Sequence, residues 1–343
     1  MAAAKLNAGE RYVLRSDNLE VTVLERGATI FSIRFRDSDG QFHEVTNGFA
    51  DPDDYFAPGI WFGANCGRVA NRIEDFRFTL DGTEYALPEN DGDNHNHLHG
   101  GPEGFNRRMF AITQDSETSL TAKMISPDGD QGYPGEVTLT IHMFIKDGTT
   151  LRIEYEATTT APTPIALTNH TFFALQDEGT IVDQSIKVNA VSYLPVKENM
   201  VPTGEIRPVI RTPFDLRVPE RIGESLLAND IQIDTAKGID HMFILDRGEL
   251  DADKNIAAEV HDKDTGIVLT LRTDQPGVQV YTDNYPVDGL DKQGRPFEQY
   301  GSICLEAQTY PNAINTEEFP SPVLRPGEVY SRYIEYTFSN REL

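Results

Sequence analysis

The sequence is poor in cysteine and has no long apolar run. Only Cys66 and Cys304 are cysteines among 343 residues, too few for the disulfide framework of a small secreted domain. The longest apolar run is far shorter than the roughly 18 residues that a membrane span requires. The N-terminal stretch MAAAKLNAGERYVL lacks the apolar segment of a secretory signal. We therefore expect a soluble protein in the cytoplasm.

Positive charge is also scarce. The chain has 30 Lys and Arg residues against 55 Asp and Glu residues, which gives a formal net charge of −25. A surface this acidic repels the phosphates of nucleic acids and of anionic membranes. The charge balance therefore argues against nucleic acid and membranes as partners.

Motifs for bound cofactors are missing as well. There is no glycine-rich phosphate loop, no nucleophile elbow, no HExxH and no CxxC. These are the patterns by which nucleotide, flavin, nicotinamide and many metal sites are recognised in a sequence. The sequence thus predicts neither a cofactor nor a metal ion.

Helical periodicity is weak, and its best candidate is the segment 220–230. A period of two dominates instead. Residues 19–35 alternate between apolar and polar, apart from a break at Arg26-Gly27, and the segments 136–145 and 151–160 alternate on either side of an Asp-Gly turn. The last two segments predict a β-hairpin.

Further strands are predicted in 266–273, 277–284 and 328–339. Many short strands separated by Gly and Pro are typical of an antiparallel sandwich or barrel. Without a shift in composition to mark a boundary, we expect one all-β domain over residues 1–343, a large antiparallel β-sandwich with few short helices. The irregular, Pro-rich stretch 195–235 is expected to wrap its edge.

A carboxylate in an apolar strand is the first candidate for chemistry. Glu306 follows Ile303, Cys304 and Leu305 in SICLEAQTYPNAIN, and a period of two places Cys304 and Gln308 on its face. A carboxylate in such surroundings must be paired, hydrogen-bonded or functional. Partial burial raises a carboxyl pKa and suits a general base. A salt bridge to an arginine is the competing interpretation.

Histidine supplies the second group of candidates, because its pKa lies near neutrality. His170 in IALTNHTFFAL is either a core residue or a proton donor. His95, His97 and His99 crowd into HNHLHGG, where a zinc site competes with a simple polar loop. The flanking Asn and Gly residues disfavour zinc. His99 stands apart, because Gly100-Gly101 lets the backbone come close to another group.

Two further segments combine charge with apolar neighbours. GANCGRVANRI brings together Arg68, Asn71 and Arg72, a set that suits an anion or a neutral polyol equally. In KGIDHMFIL, Asp240-His241 abut an apolar strand. Trp61 precedes the first segment and is a candidate stacking surface.

Taken in order along nearly the whole chain, eight segments resemble the aldose 1-epimerases, or galactose mutarotases. They are WFGANCGRVANRI, HLHGGPEGFNRRMF, GYPGEVTLTI, LTNHTFFAL, VPTGEI with TPFDLR, GIDHMFIL, GVQVYTDN and ICLEAQTYPNAINTEEFPSPVLRPGEVY. The resemblance implies a galactose mutarotase-like β-sandwich with an open sugar cleft. It also implies an enzyme of carbohydrate metabolism that interconverts the α and β anomers of free aldoses such as galactose and glucose.

The resemblance also implies roles for individual residues. Glu306 is expected to be the general base and His170 the general acid. The expected substrate-binding residues are His99, Arg72, Asn71, Asp240 and Gln279, with His99 also sharing in proton transfer. The implied partner is a monosaccharide, and the chemistry needs neither metal nor cofactor.

Three alternatives stay open from the sequence. A non-catalytic sugar-binding module can use the same sandwich, since a fold does not dictate function. An epimerase of sugar phosphates would need a basic cluster, for which Arg68, Arg72 and Arg107-Arg108 are the candidates. The third is a polysaccharide lyase or hydrolase, and a hydrolase would need two carboxylates at a set separation. The preferred aldose and the oligomeric state are not determined by the sequence.

Overall fold

Short antiparallel strands make up most of the protein. A computed structural model describes residues 5–246 and 256–341. In chain order the strands are β1 (Arg11–Arg15), β2 (Leu19–Leu24), β3 (Thr29–Arg36), β4 (Phe42–Glu44), β5 (Ala64–Cys66), β6 (Arg72–Glu74), β7 (Arg77–Leu80), β8 (Thr83–Ala86), β9 (Asn96–Leu98), β10 (Ala111–Ser116), β11 (Ser119–Ser126), β12 (Val137–Lys146), β13 (Thr150–Thr159), β14 (Thr163–Pro164), β15 (Thr168–His170), β16 (Phe172–Phe173), β17 (Ser185–Val188), β18 (Ala190–Leu194), β19 (Arg207–Pro208), β20 (Glu220–Arg221), β21 (Asp240–Leu245), β22 (Ile256–His261), β23 (Ile267–Thr273), β24 (Gly277–Tyr281), β25 (Ile303–Gln308), β26 (Val323–Leu324) and β27 (Tyr330–Asn340).

Helical structure is limited to short pieces. The α-helices are α1 (Ile222–Leu226) and α2 (Ile231–Ala236), and 3₁₀ turns occupy Pro52–Phe56, Gly92–Asn94, Phe105–Arg107, Asp130–Gly132, Ile181–Asp183 and Ala313–Asn315. Within the ranges that the structure describes, no helix is apolar and long enough to cross a membrane.

Three larger sheets organise the strands. One has four strands in the order β1-β2-β3-β4, and a second has nine in the order β10-β11-β12-β13-β27-β23-β22-β17-β20. The third has six strands in the order β16-β25-β24-β21-β18-β19. The two-stranded ribbons β15-β5 and β6-β9 lie beside it in the functional region, and β7-β8 and β14-β26 complete the set.

The predicted hairpin is present with the expected register. β12 and β13 pair from Val137 with Thr159 to Lys146 with Thr150. Apolar side chains alternate into the core along both strands, as in Ile141 opposite Tyr155. The break predicted within 19–35 is present too, between β2 and β3.

One hydrophobic core connects the three sheets. It contains Val21 of the four-stranded sheet, Ile141 of the nine-stranded sheet and Val280 of the six-stranded sheet. Sheets that bury their inner faces against one another form a sandwich, so the predicted all-β sandwich is confirmed. The expectation of one domain over 1–343 stays a prediction, because 1–4, 247–255 and 342–343 lie outside the described residues.

The stretch 195–235 behaves largely as predicted. Its strands β19 and β20 form the outer edges of the six- and nine-stranded sheets. α1 lies inside the predicted helical segment 220–230, and α2 follows it. The sequence pattern did not predict α2. The Asp230 side chain caps it by accepting a hydrogen bond from the Gln232 backbone N–H.

A glycine in the β12–β13 turn tests the hairpin. Asp147 and Gly148 have φ values of 53° and 76°, and a Cβ at Gly148 would meet no atom within 4 Å. Gly148→Ala therefore adds backbone strain without a clash and should lower the free energy of unfolding by about 1 kcal/mol in urea denaturation.

Asp147→Asn is the matched control for this turn, because Asn tolerates the left-handed conformation as well as Asp does. Its stability should equal that of the parent protein. An unchanged midpoint for Gly148→Ala would show that this turn does not hold the hairpin.

Candidate active site

The centre of the six-stranded sheet forms one wall of a cleft. Glu306 on β25 pairs with Gln279 on β24, and Asp240 on β21 pairs with Tyr281 on β24. Leu305 belongs to the hydrophobic core. Because side chains alternate along a strand, Glu306 faces the opposite side, away from that core.

Two short ribbons form the second wall. His170 on β15 pairs with Ala64 on β5, and Arg72 on β6 pairs with Leu98 on β9. His99 follows directly after β9, in the left-handed conformation with a φ of 51°. Residues far apart in the chain thus meet across the cleft.

The cleft has a volume of about 430 Å³ and is open to solvent. Six of the seven predicted site residues line it: Asn71, Arg72, His99, His170, Asp240 and Glu306. Gln279 is the exception and lies buried beside Asp240, where its Nε2 donates to Oδ1 of Asp240 at 2.6 Å. Its Oε1 has no hydrogen-bond partner among the described residues.

Glu306 and His170 form a close pair. Nε2 of His170 lies 3.5 Å from Oε1 of Glu306, and their side chains are 7% and 2% exposed. Oε2 of Glu306 has no hydrogen-bond partner in the described part of the chain. The ring of Phe172 stacks on that of His170 with centroids 4.9 Å apart. The carboxyl group of Glu306 therefore keeps one oxygen available to a ligand.

Burial shifts both groups of the pair towards their uncharged forms. It raises the pKa of Glu306 well above its usual value, an effect that Asp240 strengthens and Arg72 opposes. Burial also lowers the pKa of His170 to about 4. Burial thus disfavours the ionised form of each group, the carboxylate of Glu306 and the imidazolium of His170.

The hydrogen bonding of His99 determines its tautomer. The backbone N–H of Asn71, whose φ is 60°, donates to Nδ1 of His99 at 3.2 Å. Burial lowers the pKa of His99 well below its usual value, so the ring is neutral. Since Nδ1 accepts a hydrogen bond, the proton must be on Nε2. His99 is thus a hydrogen-bond donor through Nε2. Its ring packs against that of Trp61, with the ring centroids 4.7 Å apart.

The same tautomer bears on metal binding. Ligand atoms of His99, His170 and Glu306 lie within 4.8 Å of one another, a grouping compatible in size with a metal ion. A neutral His99 has no free lone pair, however, because Nδ1 accepts from Asn71 and Nε2 carries the proton. The donor set therefore fits a transition metal poorly.

An ion cluster surrounds Arg72. Its Nε donates to Oδ2 of Asp91 at 2.8 Å, and its Nη1 lies 3.8 Å from Oδ2 of Asp240. Burial raises the pKa of Asp240, although Arg72 and the bond from Gln279 oppose the rise. Asp240 also donates its backbone N–H to Nδ1 of His241, a fully buried ring.

The second arginine of the GANCGRVANRI segment lies elsewhere. Arg68 is buried and donates to the Pro134 and Gly135 carbonyls and to Ser126. It is absent from the described lining of the cleft. The idea that Arg68 and Arg72 act together on a ligand is therefore wrong, because neighbouring residues point into different parts of the fold.

Neither His95 nor His97 joins His99 in the cleft. His95 is exposed beside Glu89, and Nδ1 of the buried His97 donates to the Pro88 carbonyl. Only His97 lies within β9, so the three side chains do not share a strand face. The zinc interpretation of HNHLHGG has no geometric basis here.

Four carboxyl groups of the cleft lining were not predicted from the sequence: Asp91, Asp93, Glu198 and Asp283. Asp91 lies in the polar run ENDGDN, which indicates only a turn, and Asp283 follows β24. Burial raises the pKa of Asp283 to about 6, while a hydrogen bond from Ser302 opposes the rise. Asp91 carries no local signal, because its contact with Arg72 forms only in the folded chain.

Comparison with known proteins identifies the family of this chain. The family model for aldose 1-epimerase matches residues 10–337. The chain belongs to the aldose 1-epimerase family. It is 40% identical over 334 residues to galactose mutarotase from Sus scrofa, covering 96% of this chain and 94% of that protein. It is 36% identical to aldose 1-epimerase from Escherichia coli over 93% of this chain and 91% of that one.

Solved structures share the aldose 1-epimerase fold. A GalM/aldose epimerase homologue from C. elegans superposes with a TM-score of 0.88 at 27% identity, over 97% of this chain and 100% of that one. Galactose 1-epimerase from Lactobacillus acidophilus gives a TM-score of 0.83 at 27% identity, over 97% and 95%.

The tautomer of His99 in this aldose 1-epimerase family member is directly measurable. In ¹⁵N NMR at neutral pH, we expect Nε2 to be protonated and Nδ1 to be unprotonated. His99→Gln assigns the signals by removing them, and His142→Gln, at a half-buried histidine outside the cleft lining, is the matched control. A protonated Nδ1 would contradict the donation from Asn71.

Proposed function

We propose that the protein interconverts the α and β anomers of free, neutral aldoses of the galactose and glucose type. The observation that carries this proposal is the buried Glu306–His170 pair, 3.5 Å apart, in a cleft that other polar side chains line. Family membership supports the same reaction. A monosaccharide is accordingly the proposed partner.

Ring opening needs a base at the anomeric hydroxyl and an acid at the ring oxygen. Glu306 and His170 together hold one exchangeable proton, and in the reactive form this proton is on His170. The Glu306 carboxylate takes the anomeric hydroxyl proton, and the His170 imidazolium protonates the ring oxygen. The bond between the anomeric carbon and the ring oxygen breaks, and the carbonyl forms.

Ring closure reverses these roles. The carbonyl carbon rotates to present its other face, and neutral His170 removes the proton from the former ring hydroxyl. That oxygen attacks the carbonyl carbon, and protonated Glu306 returns its proton to the carbonyl oxygen. Each group contributes roughly 10²–10⁴-fold by general acid–base catalysis, and the pair ends in its starting state.

The remaining side chains hold the sugar while one carbon rotates. Asp240 accepts from hydroxyl groups, Arg72 donates through its Nη atoms, and His99 donates through Nε2. Gln279 orients Asp240 through the 2.6 Å hydrogen bond. The backbone of Asn71 orients His99. Fixed partners of this kind reduce the entropy cost of reaching the reactive geometry.

The charges of the cleft favour a neutral sugar over a sugar phosphate. Among the described lining residues, six carry carboxyl groups and only Arg72 carries a fixed positive charge. Arg108 is paired with Asp130, and Arg107 donates to the Phe56 carbonyl. The basic cluster that a phosphate would need is therefore not assembled.

A non-catalytic sugar-binding module is the second candidate. The Glu306 carboxyl group lies beside the His170 imidazole, and burial raises its pKa. Sugar binding alone does not require such a pair. Perturbed pairs of this kind are typical of acid–base catalysis. The geometry thus favours an enzyme.

We also propose a cytoplasmic location. Cys66 and Cys304 are both buried free thiols, a state that the reducing cytoplasm maintains. Burial raises the pKa of both thiols, which keeps them protonated and unreactive.

Glu306→Gln tests the assignment of the base. The amide matches the carboxylate in shape but accepts no proton, so kcat should fall by roughly 10²–10⁴-fold with folding intact. Polarimetry on freshly dissolved α-D-galactose and α-D-glucose measures the loss. Glu317→Gln, at an exposed glutamate outside the cleft lining, is the matched control and should relax at the parental rate. Relaxation of Glu306→Gln at that rate would rule out Glu306 as the base.

The pH dependence tests the one-proton pair. As the pH falls through about 4, the pKa of His170, a second proton occupies the pair and the base is lost. As the pH rises through the elevated pKa of Glu306, the shared proton leaves and the acid is lost. The enzyme-catalysed rate should therefore fall on both sides, as measured by polarimetry with circular dichroism to confirm folding. A flat profile in the folded protein would contradict the mechanism.

A further inference from the structure

Arg72 lies between two carboxylates, and one of them is closer to the guanidinium than the other. Its Nε donates to Asp91 at 2.8 Å, whereas its Nη1 is 3.8 Å from Asp240. The side chains of Arg72 and Asp91 are 12% and 7% exposed. Asp91 is thus the direct hydrogen-bonding partner of the arginine, in surroundings that screen charge weakly.

Asp91 is itself anchored. Its Oδ2 also accepts from Nδ2 of Asn96 at 3.0 Å, and the same Nδ2 donates to the Asn199 carbonyl at 2.9 Å. Asn96 is fully buried. The carboxylate therefore has a fixed position, and it transmits that position to the guanidinium through Nε.

This arrangement has two consequences for a ligand. Among the described residues, the Nη atoms of Arg72 have no hydrogen-bond acceptor, since Nη1 is 3.8 Å from Asp240. They are therefore available to the hydroxyl groups of a ligand. The positive charge of Arg72 is compensated by Asp91 and Asp240, so the cleft offers directed donors without a net attraction for anions.

We propose that Asp91 is a positioning and specificity-determining residue, which aims Arg72 at the substrate and makes the cleft select neutral aldoses over hexuronates. This inference rests on the proposed epimerase activity. Asp91 acts through Arg72 and takes no part in proton transfer. The anionic ligand it rejects is an aldose that carries a carboxylate in place of the terminal hydroxymethyl group.

Asp91→Asn separates the charge from the shape. The asparagine keeps an oxygen for Nε of Arg72 but leaves the arginine charge less compensated. We expect the ratio of kcat/KM for D-galacturonate to kcat/KM for D-galactose to rise about tenfold in polarimetric assays. Asp93→Asn is the matched control, because Asp93 is an exposed cleft carboxylate on the same loop. Solvent screens its charge, so the ratio should change less than about twofold.

Asp91→Glu tests the positioning role. It is a second, independent test if Asp91→Asn does not fold. The longer side chain retains the charge but displaces Arg72. We expect KM for D-galactose to rise about tenfold with kcat nearly unchanged, and the galacturonate ratio to stay at its parental value. A merely structural Asp91 would lower stability without this separation of KM from kcat.

The outcomes distinguish the two proposals. If the parent protein does not accelerate galactose mutarotation, the proposed function fails. If the parent protein is active but Asp91→Asn and Asp93→Asn shift the galacturonate ratio equally, the specificity role of Asp91 is overturned. An unchanged KM in folded Asp91→Glu overturns its positioning role.

Discussion

The site depends on one constraint, the burial of the Glu306 carboxyl group against the His170 ring. Antiparallel pairing places β25 between β16 and β24 in the six-stranded sheet, and alternation along β25 turns Glu306 away from the core and towards the cleft. Burial then disfavours the charged forms of both groups, the carboxylate and the imidazolium. A proton donor and acceptor that can trade roles is what reversible ring opening requires.

The second layer of the site is electrostatic. The guanidinium of Arg72 contacts two carboxyl groups, those of Asp91 and Asp240. These contacts orient the groups that bind hydroxyls, and they reduce the electrostatic attraction of the cleft for an anion. Backbone N–H groups also contribute. That of Asn71 donates to His99 and sets its tautomer, and that of Asp240 donates to His241. The binding groups also act on proton transfer, because Asp240 and Arg72 shift the pKa of Glu306 in opposite directions.

Predictions from the sequence succeeded where the signal was local. The alternation in β12 and β13 and the Asp147-Gly148 turn specify a hairpin without reference to the rest of the chain, and the structure contains it. Arg68 shows the opposite case, because it lies four residues from Arg72 but is satisfied by Ser126 and the Pro134 carbonyl. Asp91 was missed for the same reason: its partner is brought to it only by the pairing of β6 with β9.

By itself the sequence determined the all-β architecture, through its period of two, and the family, through ordered motifs that contain Glu306 and His170. The tertiary structure decided which of the charged residues meet. The 3.5 Å separation of the pair, the tautomer of His99 and the compensation of Arg72 all arise between strands distant in the chain. Electrostatic energies depend on such separations and on burial, and neither quantity is encoded in local residue order.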